Sequence, residues 1–100
     1  CALRQAIEMR PLADVWMRLQ LDQLMIDFVM GYLWELRTDG VTKREVVTVL
    51  AEGYERIHAL SAQSEQERAL KARLLEQEEM VWKTVESTYA QEMEQEVRGG

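Results

Sequence analysis

Glu55 and His58 stand three residues apart in a segment of helical spacing, so a carboxylate and an imidazole fall on one helix face. That combination is a metal-ligand pair. His58 is the only histidine in the chain, which removes any single-chain site that needs two. If the turn between the first two long helices is centred near Gly40, Asp27 comes about level with Tyr54 and Glu55 and adds a second acid. A symmetric pair of chains would then supply the other half of such a site. The plain alternative is that Glu55 and His58 simply face solvent.

The E-x-x-H step resembles the one found in ferritin-like carboxylate bundles, which need two such steps and two further acids. The resemblance covers these residues and nothing else in the chain. It implies an inter-subunit metal site of Asp27, Glu55 and His58, and a metal-dependent oxidase as the one enzymatic alternative. Asp27 and Glu35, on a mostly apolar helix, would be buried acids with perturbed ionisation, or else the solvated edge of that helix. No nucleophile–base pair, glycine-rich phosphate loop or cysteine cluster is present, so neither an enzymatic activity nor a cofactor is expected.

The elements that would position these groups read as helices. Between Leu24 and Leu36 nearly every side chain is large and apolar, and only a narrow row of Gln20, Gln23, Asp27, Gly31 and Glu35 is polar or small. A surface helix has one apolar stripe; this one asks for cover on several sides. The first long helix is predicted over 12–38, with Arg10-Pro11 breaking it from a short leading helix over 1–10 and Gly40 closing it. Asp14, Arg18 and Asp22 share one row, where Arg18 would pair with both acids. Thr42 and Glu45 form a capping box that opens a second helix over 42–60, with Val41 and Val46 as its hydrophobic staple. Ser64 and Glu67 form another that opens a third over 64–97, stabilised by Glu67–Lys71 and Glu79–Lys83 pairs. On the third helix Leu75, Trp82 and Tyr89 recur every seven residues beside Leu70, Leu74, Val81, Val85 and Met93. Trp82 is expected in the core against the first helix.

One hundred residues with 47% apolar and 30% charged side chains describe one folded domain. The net charge of −6 argues against a nucleic-acid surface. A DNA-binding reading of Thr42–Leu60 as part of a helix-turn-helix, opening with basic Lys43 and Arg44 and with Gly53 inside it, is the other functional alternative. Cys1 has no second cysteine with which to form an internal disulfide, and no run reaches the ~18 apolar residues of a membrane span, so a cytoplasmic protein is expected.

At ~1.5 Å per residue the three helices would run roughly 40, 27 and 50 Å, so the third outreaches its neighbours. The chain is therefore expected to be all-α, a three-helix antiparallel bundle with a long C-terminal helix, completed by oligomerisation. A homodimer is the simplest closed form. Its interface would draw on Met25, Phe28, Met30, Tyr32, Trp34, Tyr89 and Met93. The function expected is non-enzymatic protein–protein interaction, as an adaptor, regulator or inhibitor.

Overall fold

The computed structural model describes residues 2–3 and 15–99, with side chains as far as residue 91. The leading helix expected over 1–10 therefore lies outside the described residues, except for Ala2 and Leu3, which are helical; Asp14 and the Met93 side chain also lie outside. The described residues are all-helical: α1 (Val15–Gly31), α2 (Leu33–Thr38), α3 (Lys43–Ala59) and α4 (Glu65–Gly99).

The first long helix is not continuous. Tyr32 leaves helical geometry (φ −115°, ψ 20°) between α1 and α2. Gly31, just before it, has nothing packed near the place a Cβ would occupy. Glycine is among the weakest helix formers, and with no side chain to clamp it the backbone yields there. The axis nonetheless carries on, because Tyr32 N–H donates to the Phe28 carbonyl (3.1 Å) and Leu36 N–H to the Tyr32 carbonyl (2.8 Å). Leu19, Asp22, Ile26, Val29, Leu33 and Arg37 keep one buried line through the break.

Gly40, at φ +93°, closes α2. Val41 N–H donates to the Leu36 carbonyl (2.9 Å) and Gly40 N–H to the Arg37 carbonyl (3.1 Å), the paired bonds of a Schellman motif. Both expected capping boxes form. At α3, Glu45 N–H donates to Thr42 Oγ1 (3.1 Å) and Thr42 N–H to Glu45 Oε2 (3.3 Å). At α4, Glu67 N–H donates to Ser64 Oγ (3.1 Å), while Ser64 and Gln63 N–H donate to Glu67 Oε1 (3.2 and 2.6 Å). Glu67 is thereby turned toward the loop and does not pair with Lys71 as expected. Lys71 Nζ instead donates to the carbonyls of Leu60 (2.7 Å) and His58 (3.2 Å), satisfying acceptors left open at the end of α3. The Glu79–Lys83 pair forms as expected (3.2 Å).

The helices bury one core: Leu19, Ile26, Val29 and Leu33 from the first two, Val46, Leu50, Tyr54 and Ile57 from α3, and Leu70, Leu74, Val81, Val85 and Tyr89 from α4. Gly53 lies inside unbroken α3, not at a turn, and is buried where the Met25 Cε would come within 2.7 Å of any Cβ. Trp82 packs on Tyr54 of α3 (ring centroids 5.9 Å apart) rather than in the core against the first helix, and its Nε1–H donates to Glu78 (3.0 Å). The molecule extends 54 × 28 × 17 Å, the longest dimension set by the thirty-five residues of α4.

Candidate functional site

α1 buries Leu19, Asp22, Ile26 and Val29, a line at spacings of three and four. Among the described residues, the opposite side of that helix carries a surface with no covering neighbour. Leu24 is 65% exposed, Phe28 60% and Tyr32 52%, each four residues after the last. Phe28 and Tyr32 stack in a tilted pair with centroids 4.9 Å apart, so the two rings form one ridge. Beside the ridge runs a groove of about 300 Å³ between α1 and α3, lined by Phe28, Val29, Leu36, Val41, Val46 and Val49, with Glu45 at its edge. Val49 is also exposed.

Local sequence explains the groove. Val41 and Val46 are the staple pair of the α3 cap, and Leu36 meets Val41 through the Schellman turn; the two caps fix three of its lining side chains. Taking ~200 Å² for a large side chain fully in water, the exposed parts of Leu24, Phe28, Tyr32 and Val49 come to roughly 400 Å². A patch of that size is comparable to the largest on an ordinary monomer, and such patches are often functional.

On the other flank of α1 a second groove of about 230 Å³ lies against α4, lined by Ile26, Asp27, Met30, Gln77, Met80, Val81 and Thr84. Met80 in this groove is exposed; Trp34 of α2 is exposed too, with the Arg37 guanidinium over its ring at 3.9 Å.

Of the interface residues expected from sequence, Phe28 and Tyr32 are exposed on the ridge, and Trp34 is exposed as well. Met25 and Met30 are half-buried against the core. Tyr89 is buried within its own chain, and its hydroxyl donates to the Val41 carbonyl (2.8 Å). At Tyr89 α4 meets the α2–α3 turn, which the length comparison alone did not foresee. Leu24, Val49 and Met80 escaped notice. For Leu24 a signal existed, since it continues the Phe28–Tyr32 row by one turn.

Asp27 and Glu35 follow the second of their two expected readings, and Asp22 departs from its own. Asp27 and Glu35 are exposed, at the solvated edge of the helix. Asp22 is the buried acid, 1% exposed, and accepts from both Nε and Nη2 of Arg56 on α3 (3.1 Å each). Its expected partner was Arg18, one turn away on the same helix. The core-facing position of Asp22 turns it instead toward the neighbouring helix.

Within one chain the described residues do not gather the E-x-x-H step into a ligand set. His58 Nε2 lies 3.3 Å from Glu78 Oε1 of α4, while Glu55 is exposed. Among the described residues no group of three His, Cys, Asp or Glu side chains is placed to hold a metal ion. The fold perturbs the ionisation of Tyr54. Burial, then the nearby carboxylates of Glu78 and Asp27, push its phenol up to about 12. Among the described residues no helix is long and apolar enough to cross a membrane. Compared with protein-family profiles, curated proteins and solved structures, the chain finds no match.

Proposed function

We propose that this chain is a non-enzymatic protein–protein interaction module, an adaptor, regulator or inhibitor, that docks through the outer face of α1. The observation that carries the reading is the row of Leu24, Phe28 and Tyr32, three large apolar side chains held in water beside an apolar groove. Each such side chain gains roughly 1.5–3 kcal/mol when fully covered. Aromatic and aliphatic residues in this arrangement are the usual anchors of an interface. In the finer form of the reading, α1–α2, α3 and α4 are a three-helix antiparallel bundle whose open side an additional helix completes. A homodimer would use the same face.

The test is association of the full chain, in its native host, with and without Phe28→Glu. The variant is expected to keep the wild-type melting temperature within a few degrees, because Phe28 is mostly in water. It is expected to lose the partner or the second copy that co-purifies with wild type. Assembly unchanged in a folded Phe28→Glu protein would remove the reading.

A further inference from the structure

The face just described has a charge pattern as well as an apolar one, and the two together point to its occupant. Four exposed acids border the row of Leu24, Phe28 and Tyr32: Asp27 and Glu35 along the first helical stretch, Glu45 and Glu52 along α3 at one turn either side of Val49. The basic side chains nearby are largely engaged. Arg56 is bound to Asp22, Arg37 lies over Trp34, and Lys43 pairs with Glu86 on the α4 side (2.6 Å). Arg44 is the exposed exception, one residue ahead of Glu45. A second copy placed across this face would bring acids against acids, which costs affinity and slows encounter. The area agrees. Roughly 400 Å² of exposed apolar side chain is about half of the ~800 Å² that each partner buries in an ordinary stable complex, yet it suits one docked helix.

Resting on the interaction reading above, we propose that the occupant is a basic amphipathic helix of another protein. From Leu24 to Leu36 the face is about 18 Å long at ~1.5 Å per residue, which sets a partner segment of about three turns. Its apolar side chains at i, i+4, i+7 and i+11 seat in the groove between α1 and α3, against Phe28, Leu36 and Val49. Lys or Arg on either side of that stripe meets Asp27 and Glu35 on one flank and Glu45 and Glu52 on the other. The net charge of −6 steers such a segment toward the protein before contact.

The experiment uses the full chain and two synthetic sixteen-residue helical peptides with the same Leu/Phe stripe, one flanked by Lys and one by Glu. Fluorescence anisotropy gives affinity and amide chemical-shift changes give location. The Lys-flanked peptide is expected to bind at least roughly tenfold tighter at low salt, the sum expected of several rim charges worth under ~1 kcal/mol each. Shifts should centre on Leu24, Phe28, Tyr32 and Val49. Glu35→Lys with Glu52→Lys should erase or invert the preference, and Phe28→Ser should abolish binding of either peptide. These two acids are chosen because neither takes part in a helix cap.

Lys-flanked binding that survives Phe28→Ser is charge attraction alone and overturns the proposal. Equal binding of both peptides at this face overturns the basic partner while leaving the interaction reading standing. So does a stable dimer in sedimentation with Leu24 and Phe28 at its interface. No binding of either peptide by a monomeric chain overturns both.

Discussion

α1 and α3, each described over seventeen residues, are built on opposite rules. α3 keeps Val46, Leu50, Tyr54 and Ile57 inside and sends Thr48, Glu52 and Glu55 out. α1 keeps Leu19, Ile26 and Val29 inside and sends Leu24 and Phe28 out. In α3 every large apolar side chain except Val49 is used at least in part by the chain's own fold. In α1 the supply exceeds what the fold uses, and the excess is arranged in a row. A helix patterned like α3 specifies folding; one patterned like α1 specifies folding on one side and leaves an apolar row in water on the other.

The sharpest way to break this comparison lies within α1 itself. Leu19 is wholly buried and Leu24, five residues on, is mostly exposed. Leu19→Ala is expected to cost about 3 kcal/mol in denaturant unfolding, from lost burial and the cavity left behind. Leu24→Ala is expected to stay within about 0.5 kcal/mol. Equal losses would mean that the outer face of α1 is covered by its own chain.

Next in size is the polar link between the two helices. Asp22→Asn removes the charge that holds Arg56 and is expected to cost about 2 kcal/mol by the same assay. That is less than for a fully buried pair, because Arg56 still reaches water. Neutralising Glu79, whose pair with Lys83 is exposed, should change stability by under about 0.5 kcal/mol. Between these two is Gly40→Ala, expected to cost about 1 kcal/mol because a Cβ is disfavoured at φ +93°. It should loosen the turn that shapes the groove, so peptide affinity at the face should fall with it.

The last is a pH effect confined to the inner side of α3. The folded state holds the Tyr54 proton up to about pH 12, the unfolded chain only to about 10. Between those values the folded state binds more protons, so this contribution to stability is intact below pH 10 and is lost as pH rises toward 12. Tyr54→Phe should flatten that part of the pH–stability curve, measured by denaturant midpoints; an unchanged slope would place the titration elsewhere.

What was legible in the sequence was what neighbouring residues decide among themselves. Thr42 with Glu45, Ser64 with Glu67, and Gly40 after a long apolar run fixed the ends of three helices, because caps are local hydrogen bonds. The break at Tyr32 was not legible, since Gly31 tolerates a helix and only the absence of packing around it decides. The Asp22–Arg56 pair was hidden for the opposite reason: Arg18 offered a local partner at the right spacing, while the real one is thirty-four positions away. Trp82 and Tyr89 depended on how α4 is rotated, which a stripe of seven-residue repeats leaves open by about one residue position. For the candidate site, Phe28, Tyr32 and Trp34 followed from a surplus of apolar residues. Val49 and Met80 did not, because each looks like ordinary core until the neighbouring helix is in place.

The most direct measurement is hydroxyl-radical footprinting of the full chain, dilute and alone, then saturated with the Lys-flanked peptide. Leu24, Phe28 and Tyr32 should be modified much faster than Leu19 and Tyr54 in the isolated chain, and should fall toward the rate of those core residues once the peptide is bound. If they react as slowly as Leu19 and Tyr54 in the isolated chain, or stay fast in the complex, the outer face of α1 is not a docking surface.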